Sequence, residues 1–485
     1  VKIERHKWPD EKKDAKKSKL NRRISIAVLS FFMFLLGMGF SQAIAPYNTN
    51  QESNKFSEIE KILTEKWYFG KDVENLDTFI PDNGFYGMAN LSAIDPHTSY
   101  LSAAEIASYT EGLSGSYVGI GIQYYESDNG ILIVDRVFED SPAEIGGMMA
   151  GDIIFKVEDK LAADLDINQV SELVRGEADT PVTLTVLRDN KEVIIKMIRK
   201  QVIHSSFGEQ LTPEVALIEL EQFGETTAGE VENYLKRFKD SKHLIIDLRN
   251  NGGGYLNSVI EITSLFVGPD KTVLITENKN GDQYVENTLN KEAYTFDDIT
   301  ILVNGGTASA SEVLTAALKY HLDNVSVVGV KTYGKGTVQQ TQFLSDNSAL
   351  KYTTAEWFGP DSGKIHGVGI SPDFEVKLAP IIESGFMAFP EGNTYQKDQV
   401  GEVVKYVQEA LDFLGYSMDR KDGYFDEATH QAVVQFQKSM NIEANGQINE
   451  DNYNLLISKT VREYNQNKAK YDTQKNYVLN QLGVK

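Results

Sequence analysis

The sequence predicts a multidomain protein of mixed α/β class, in which an α/β core carries an inserted β-rich module. The chain has 485 residues, too many for one hydrophobic core and enough for about three domains of ordinary size. Short strand-like runs fill residues 113–200, and strands alternate with helices over residues 201–380. Apolar residues at helical spacing predict an N-terminal helical region at 57–112 and a C-terminal three-helix domain at 397–460.

The composition favours globular modules and excludes several kinds of site. Apolar residues make up 41% of the chain and charged residues 24%, a balance typical of folded domains. There is no cysteine, which excludes disulfides, thiolate metal sites and a cysteine nucleophile. The seven histidines never recur at the spacing of a zinc-binding helix, so we expect no metal site. We expect no organic cofactor either. The net charge of −22 argues against nucleic acid as a partner.

The first 45 residues predict a membrane anchor. Residues 1–23 carry ten Lys/Arg against four Asp/Glu, and the segment 24–45 that follows contains no charged residue. This segment is long enough to cross a bilayer once, with residues 1–23 in the cytoplasm and the acidic body outside. A cleaved signal peptide is the alternative, because the Ala-Ile-Ala sequence at 43–45 resembles a cleavage site. A buried core helix is a third interpretation, which the basic flank disfavours.

The helical ends of the body follow from apolar spacing. Ile59, Ile62 and Leu63 recur at the interval of one helix face within the N-terminal region. Residues 461–485 are polar and predict an exposed helix or tail after the three-helix domain.

The two middle modules differ in their strand patterns. Glycine alternates with apolar residues at 116–123, and period-two alternation marks 183–188, as in short antiparallel strands. In the core, apolar runs are separated by glycine-rich turns and helical stretches. The core strands are expected at residues 244–247, 299–303 and 325–329.

The segment from Asn304 to Glu312, NGGTASASE, combines a strand end, a sharp turn and a helix start. Such a turn exposes one side chain and aims unpaired N–H groups at the group it attacks, as an acyl-transfer nucleophile requires. Ser309 is therefore a candidate nucleophile. The alternative is an ordinary helix cap, because Ser309 and Glu312 also fit a capping box. The G-x-S-x-G motif of α/β-hydrolases is absent.

A second segment, residues 332–339, places Lys335 between Gly334 and Gly336 after a predicted strand. Glycines let the backbone bend and bring the lysine close to another chain segment. Residues 329–336 nearly match a phosphate-binding loop, but Gly336 stands where that loop needs a hydroxyl for magnesium. A solvated lysine in a turn is the remaining alternative.

A third segment follows another predicted strand and reads DLRNNGGG from Asp247 to Gly254. Its three glycines form a row of N–H donors that suits an oxyanion. An ordinary glycine-rich loop is the alternative.

Together, these three segments resemble the motifs of the C-terminal processing peptidases, also called tail-specific proteases. The resemblance covers about residues 57–380. It implies an α/β serine peptidase core in which Ser309 is the nucleophile and Lys335 the general base. It also implies that Gln339 supports the lysine. The two oxyanion donors would be the N–H of Ala310 and that of one glycine in 252–254, of which Gly253 is favoured.

Two positions depart from the family pattern. Thr307 replaces the first serine of the serine segment, which leaves the chemistry unchanged. Ser309 and Lys335 are 26 positions apart, one more than the family pattern predicts, and this keeps Ser311 as an alternative nucleophile. Ser309 is favoured because it alone stands at the head of the predicted helix.

The β-rich module at 113–200 resembles a PDZ domain. Such domains add a bound peptide as an extra strand and capture its terminal carboxylate with backbone N–H groups. Arg175 matches an arginine that the family uses to couple PDZ position to activity, and a surface charge is the alternative. The predicted carboxylate loop consists of Gly119, Ile120, Gly121 and Ile122.

Residues 403–456 resemble a small three-helix peptidoglycan-binding domain. The matching positions include Val407, Leu411, Val433 and Phe436. The same positions fit the core faces of two packed helices, so glycan binding rests on the resemblance.

These resemblances imply an extracytoplasmic serine endopeptidase that cleaves proteins near or from their C-termini, with the PDZ domain recognising the substrate C-terminus. The expected partners are protein or peptide substrates with a free C-terminus, peptidoglycan, the membrane and a second copy in a homodimer. Two other interpretations stay open: a catalytically inactive PDZ scaffold at the cell wall, and a cell-wall amidase or esterase.

Overall fold

The computed structural model describes residues 50–67, 70–71, 73–114, 116–127, 130–138, 140–203, 205–383, 387–390 and 392–484. These residues divide into two compact units, of which the first ends at Asn90 and the second begins at Leu91. The predicted basic segment 1–23 and membrane segment 24–45 lie outside the described residues. Within the described residues, no helix combines the length and the apolar character needed to span a bilayer.

The first unit contains two helices, α1 (Asn50–Lys66) and α2 (Leu76–Ala89). The ring of Phe56 on α1 stacks on that of Phe85 on α2, with 5.8 Å between centroids. Gly84 allows this approach, because a Cβ there would lie 2.6 Å from the Phe56 ring.

The second unit contains mixed sheets and helices, as the sequence predicts. Its strands are β1 (Ser99–Leu101), β2 (Ser116–Gly119), β3 (Ile122–Glu126), β4 (Leu132–Val137), β5 (Ile153–Val157), β6 (Lys160–Leu161), β7 (Pro181–Arg188), β8 (Lys191–Ile198), β9 (Lys200–Ile203), β10 (Ser206–Thr212), β11 (Val215–Leu220), β12 (His243–Asp247), β13 (Thr272–Asn278), β14 (Gln283–Asn287), β15 (Asp298–Val303), β16 (Val325–Gly329), β17 (Thr337–Phe343), β18 (Ala349–Phe358) and β19 (Phe374–Glu375). Its helices are α3 (Ala103–Ser114), α4 (Pro142–Ile145), α5 (Ile167–Val174), α6 (Thr227–Arg237), α7 (Leu256–Val267), α8 (Ala310–His321), α9 (Pro380–Glu383), α10 (Glu402–Phe413), α11 (Glu427–Ser439), α12 (Glu450–Gln466), α13 (Lys468–Tyr471) and α14 (Thr473–Gln481).

The core is built on a six-stranded sheet in the order β10-β11-β12-β15-β16-β19. Only β10 and β11 pair antiparallel, and the other neighbours in this sheet are parallel. Parallel strands are apolar on both sides because both faces are covered. Ile218 and Ile246 pack against α6, α7 and α8 on one face, whereas Leu217 and Ile245 pack against Val478 of α14 on the other.

A second sheet stands beside this core, in the order β1-β18-β13-β14 with β17 paired to β18. Strand β1 lies within the region 57–112 that the sequence analysis expected to be mostly helical. Its three residues pair with β18, more than 240 positions later, from Ser99 opposite Lys351 to Leu101 opposite Ala349. A pairing of such sequence separation leaves no local signal, which is why the apolar spacing did not indicate it.

The β-rich module forms a sheet in the order β3-β4-β5-β7-β8, with β6 on β5, and is joined to the core through the β2–β9 pair. Ser141 is the N-cap of helix α4, and its hydroxyl accepts a hydrogen bond from Glu144 N–H at 3.2 Å. Helix α5 begins with a capping box formed by Asp166 and Gln169.

The C-terminal helices α10, α11 and α12 form a small domain. Val407, Leu411, Val433 and Phe436 are fully buried in its core, which accords with the core-packing interpretation of these positions.

The last residues differ from the exposed helix or tail that the sequence analysis expected. Helix α14 covers one face of the core sheet, with Gln474 and Val478 buried. The Gln474 side chain donates to the Val376 carbonyl at 2.8 Å. Buried polar groups make part of the contact between α14 and the core sheet. The polar composition of this segment therefore did not indicate that it is buried.

Candidate functional site

The three segments singled out in the sequence meet at one edge of the core sheet. They follow β12, β15 and β16, which are neighbouring parallel strands, so their loops begin at the same carboxyl edge. In open α/β sheets, ligands bind in the crevice at this edge. The Ala308 amide donates to the Asn251 carbonyl at 3.0 Å, and the Tyr333 amide donates to the Thr307 carbonyl at 3.0 Å. The fold therefore brings the serine, lysine and glycine-rich loops into direct contact.

Ser309 stands at the head of α8 with φ 56° and ψ −118°, a conformation that residues other than glycine rarely adopt. Its side chain is half-buried. Ser311, the alternative nucleophile, is fully buried, and its hydroxyl donates to the Asn251 carbonyl at 2.9 Å. The geometry therefore favours Ser309, because the hydroxyl of Ser311 is enclosed and already engaged.

The buried carboxylate of Glu312 joins the serine loop to the lysine loop. Its Oε2 accepts from Ser309 N–H and from Lys335 N–H, both at 2.9 Å. Its Oε1 accepts from the Thr332 hydroxyl at 2.6 Å and from Gly334 N–H at 2.7 Å. Glu312 is fully buried, so these four charge-assisted bonds act in a low-dielectric setting. The sequence alone indicates Glu312 only as the partner in a capping box.

Lys335 lies in surroundings that disfavour its charged form. Burial lowers the pKa of its amine, the nearby ammonium of Lys351 lowers it further, and Asp95 and Glu312 oppose the shift. A lysine that acts as a general base needs a lowered pKa. The Trp357 indole N–H donates to the Lys335 carbonyl at 2.9 Å and fixes the backbone of the loop.

The glycines beside Lys335 are required by close packing. Gly334 has φ +87°, and a Cβ there would lie 2.8 Å from Gly369 N. A Cβ on Gly336 would lie 2.4 Å from His366 N. These contacts support the interpretation that the glycines bring Lys335 against another segment, and they disfavour a freely solvated turn.

Among the described residues, no hydrogen bond joins the side chains of the predicted catalytic set. The Lys335 amine makes no hydrogen bond to Ser309 or Gln339, all three of which lie within the described residues. The Gln339 amide instead donates to the hydroxyls of Thr337 at 2.9 Å and Thr353 at 3.3 Å. The loops are therefore assembled, whereas the proton-transfer contact is not made.

The structure adds polar groups near Lys335 that the sequence analysis missed. Asp95 accepts from the Thr98 hydroxyl at 2.5 Å and from His97 N–H at 3.0 Å. Burial lowers the pKa of His97, and the charges of Lys335 and Lys351 lower it further against the opposing effect of Asp95. The available signal was the polar Asp-Pro-His-Thr run just before β1, whose position beside the lysine depends on the distant pairing with β18.

The two predicted oxyanion donors, the N–H groups of Ala310 and Gly253, differ in their hydrogen bonding. Ala310 is the first residue of α8, so its N–H has no acceptor within the helix. Gly253, at φ +106°, packs so closely that a Cβ would lie 2.8 Å from the Ser309 Cβ and 2.9 Å from Ala310 N. However, the Gly253 N–H donates to the side-chain oxygen of Asn251 at 2.9 Å. In this structure the Gly253 amide is therefore engaged, and an oxyanion would have to displace Asn251.

Arg249 connects the glycine-rich loop to the C-terminal segment. Burial opposes its charge, while Asp247 and Asp472 raise the pKa of the guanidinium. Its nitrogens lie 2.5 Å from the Asp247 carboxylate and 2.7 Å from the Asp472 carboxylate. The segment before α14 therefore contributes directly to the position of the loop that carries Gly253.

The predicted PDZ carboxylate loop is occupied by a neighbouring tyrosine. Burial raises the pKa of Tyr117 to about 12, and its hydroxyl accepts hydrogen bonds from the backbone N–H groups of Ile122 and Gly121. The Tyr117 ring lies against Gly119, where a Cβ would be 2.7 Å from it. The guanidinium of Arg175 stands 5.0 Å from the centre of this ring. Arg175 therefore lies against the tyrosine that covers the carboxylate loop.

Comparisons with known proteins match each module. The sequence model described as peptidase family S41 matches residues 214–376, a PDZ model matches 133–188, and a model described as a putative peptidoglycan binding domain matches 400–456. A protein described as a probable CtpA-like serine protease from Staphylococcus aureus (strain COL) is 34% identical over 431 residues, covering 88% of this chain and 85% of the relative.

A protein of the same description from Staphylococcus haemolyticus (strain JCSC1435) is 32% identical over 469 residues and covers 92% of each chain. Among solved structures, the photosystem II D1 C-terminal processing protease matches with 23% identity and a TM-score of 0.42. That match covers 67% of this chain and 93% of the other.

Proposed function

Because the chain belongs to peptidase family S41 and is a serine-type peptidase, we propose that Ser309 is its nucleophile and Lys335 its general base. The observation that carries this proposal is the Glu312 carboxylate, which holds the backbones of both residues at 2.9 Å. A single buried anchor fixes the hydroxyl-bearing turn relative to the amine-bearing turn, as positioned acid–base catalysis requires.

In the proposed mechanism, the neutral amine of Lys335 takes the proton of the Ser309 hydroxyl as the oxygen attacks the scissile carbonyl. The developing oxyanion receives the N–H of Ala310 and then that of Gly253, once Asn251 has released it. The Lys335 ammonium gives its proton to the leaving amine. A water molecule then hydrolyses the acyl-enzyme, with Lys335 again as the base.

Activation in this proposal requires two small rearrangements. The Gln339 amide must leave the hydroxyls of Thr337 and Thr353 to orient the amine of Lys335. The side chain of Asn251 must leave Gly253. We propose that substrate binding drives both rearrangements. The substrate carbonyl oxygen competes with Asn251 for the Gly253 amide, and the substrate backbone excludes water from the amine of Lys335, which favours its contact with Gln339.

We further propose that the PDZ domain recognises the C-terminus of the substrate. A carboxylate is a stronger acceptor than a phenol oxygen, so a peptide C-terminus displaces the Tyr117 hydroxyl from the amides of Gly121 and Ile122. Displacement moves the ring against which Arg175 is placed. This gives a physical route from ligand binding in the PDZ domain to the arginine assigned to coupling.

The location and assembly are proposals that rest on the sequence. The basic and uncharged N-terminal segments support a membrane tether with the catalytic body outside the cytoplasm. The C-terminal domain is proposed to bind peptidoglycan, and the resemblance to the family supports a homodimer.

The test is cleavage of an unfolded protein by the full chain in detergent, with new C-termini identified by mass spectrometry. We expect Ser309→Ala and Lys335→Ala to lose activity by about 10³-fold or more while unfolding at the wild-type temperature. Ser311→Ala is the matched serine variant and should retain cleavage.

Cleavage that survives in Lys335→Ala would contradict the proposal that Lys335 is the general base for Ser309. Wild-type enzyme that cleaves no protein would instead favour the inactive scaffold, and release of fragments from purified peptidoglycan alone would favour the amidase or esterase.

A further inference from the structure

A cavity of about 560 Å³ lies between the PDZ domain and the C-terminal helical domain. Its PDZ wall is mainly apolar and includes Ile153 and Phe155, whereas the facing wall comes from α12 and the loop before it, with Asn454 and Leu455. The volume falls within the range of roughly 300–1,000 Å³ that is typical of small-molecule sites. None of the residues proposed for catalysis lines it.

Asn454 is the exceptional residue of this cavity. It is only 2% exposed, and among the described residues neither its Oδ1 nor its Nδ2 has a hydrogen-bond partner. A buried amide without partners is costly, so most such groups are satisfied by protein, water or ligand. Neighbouring amides on this wall are satisfied: Asn452 donates to the Gln447 carbonyl at 3.2 Å, and Asn445 accepts from Gln437 at 3.1 Å. The Asn454 carboxamide is thus left without a partner at the edge of the cavity, and a rotation of its side chain would present it to a ligand.

The two walls are held together by a buried polar network. The Arg462 guanidinium of α12 lies 3.3 Å from the carboxylate of Asp152 and 2.7 Å from that of Asp189, both in the PDZ domain. The Ser458 hydroxyl donates to the Gly151 carbonyl of the PDZ domain. Asp152 is fully buried, and Arg462 is only 4% exposed. The cavity is therefore a preformed feature of a fixed interface, because these contacts set the separation of its walls.

We propose that this cavity binds an N-acetylated amino sugar of a glycan strand, with the acetamido group against Asn454. The side chain of Asn454 offers one acceptor and two donors, and an acetamido group offers the complementary N–H and C=O. The acetyl methyl group fits the apolar wall formed by Ile153 and Phe155. The inference rests on the proposed binding of peptidoglycan by the C-terminal domain, and it assigns half of the site to the PDZ domain.

The charge of the lining favours a neutral sugar over an anionic peptide stem. Glu443 and Asp451 line the cavity, and among its described lining residues there is no Lys or Arg. Carboxylates of a bound stem peptide would meet repulsion here, whereas the hydroxyls and acetamido groups of a glycan would not. Occupation by a sugar would then connect the cell wall to the domain that carries the carboxylate loop.

The experiment measures binding of a β-1,4-linked N-acetylglucosamine tetramer to the full chain carrying Ser309→Ala, by isothermal titration calorimetry. Cellotetraose is the matched ligand, because it lacks the acetamido groups without gaining charge. We expect cellotetraose to bind at least about tenfold more weakly than the acetylated tetramer.

Two variants test the two walls. Asn454→Leu keeps the branched shape and the number of side-chain heavy atoms and removes the unpaired amide, so we expect about a tenfold loss of affinity with an unchanged or raised unfolding temperature. Ala163→Trp fills the cavity from the PDZ side at an exposed position and should abolish binding. Asn480→Leu, at an exposed position on α14 outside the cavity, is the control and should bind as the parent does.

Equal binding of both sugars, tetramer binding that neither cavity variant changes, or binding of a stem peptide in place of the tetramer would overturn the assignment. A second assay measures how much of the parent chain and of Ala163→Trp is retained on purified peptidoglycan. It distinguishes failure of the cavity assignment from failure of the proposed peptidoglycan binding. If the parent chain is retained and Ala163→Trp is retained equally, wall binding stands and the cavity assignment falls. If the parent chain is not retained, both fall.

Discussion

The glycine-rich loop of the core and the carboxylate loop of the PDZ domain keep their backbone donors engaged in the same way. In the core, the Asn251 side chain accepts from Gly253 N–H at 2.9 Å. In the PDZ domain, the Tyr117 hydroxyl accepts from the amides of Ile122 and Gly121. Each acceptor is a neutral oxygen of the chain itself. An anion binds such donors more strongly than a neutral oxygen does, so either acceptor can be displaced by the ligand proposed for its loop.

The two acceptors differ in how firmly they are held. Asn251 is fully buried and also donates to the Leu220 carbonyl at 2.7 Å, so its displacement breaks a second buried bond. Tyr117 is held by its ring, which contacts Gly119 and faces Arg175. The PDZ loop should therefore open to a ligand more readily than the core loop. The difference suggests that ligand binding in the PDZ domain precedes assembly of the oxyanion hole.

The largest expected effect is at the core loop. Gly253→Ala places a Cβ 2.8 Å from the Ser309 Cβ at φ +106°, so we expect the turnover rate to fall by about 10²–10³-fold. Gly252→Ala is the matched control, because a Cβ there has no atom within 4 Å. Peptide cleavage by both variants provides the measurement. Similar turnover rates for the two variants would show that catalysis does not depend on the close approach of Gly253 to Ser309.

The next effect is at the anchor of both catalytic loops. Glu312→Gln replaces two acceptor oxygens by one and leaves N–H groups without partners, so we expect a loss of about 2–3 kcal/mol in the free energy of unfolding. Thr332→Ser is the control, because it keeps the hydroxyl that bonds to Glu312 and to Ile370 N–H and removes only a buried methyl group, at a cost of about 1 kcal/mol. Urea unfolding of the two variants measures both values. Equal losses would show that Glu312 does not act as a shared anchor.

A smaller effect is expected at the PDZ loop. Tyr117→Phe removes the competing hydroxyl and keeps the ring beside Arg175, so the affinity for a peptide with a free C-terminus should rise by about 3- to 10-fold. Tyr124→Phe is the control, because the Tyr124 hydroxyl bonds to Ser171 and leaves the carboxylate loop untouched. Fluorescence anisotropy of a labelled peptide gives both affinities. If Tyr117→Phe binds no more tightly than the control, the two loops do not share a displacement mechanism.

The smallest expected effect is a shift in pH dependence. Activity should rise with pH through the lowered pKa of Lys335, because only the neutral amine accepts a proton. Lys351→Met removes a positive charge that disfavours protonation of Lys335, so the pKa of Lys335 and the acidic limb of the rate profile should move to higher pH. A limb that moves to lower pH, or does not move, would contradict this electrostatic assignment.

Sequence reasoning predicted the elements that carry local signals. The three loops, the helix head at Ser309 and the glycines beside Lys335 each combine a strand end with residues of special backbone geometry. The mixed α/β class followed from the same periodicities. These features depend on residues that are adjacent in the chain.

The remaining features depend on contacts between distant segments. Asp95 comes near Lys335 only because β1 pairs with β18, and Arg249 meets Asp472 across more than 220 positions. The same applies to the Gln339 amide, which is bonded to Thr353 in place of the expected lysine. No pattern within one segment specifies which hydroxyl, carboxylate or amide another segment brings to it.

The most direct test of the Ser309–Lys335 assignment is the rate at which a fluorophosphonate probe labels Ser309 in the full chain as a function of pH. We expect the rate to rise with a single apparent pKa below the usual lysine value of about 10.4. In Lys335→Ala, the rate should be far lower and should lack this pH dependence. Equal labelling rates and equal pH profiles in the two proteins would contradict the assignment of Lys335 as the base.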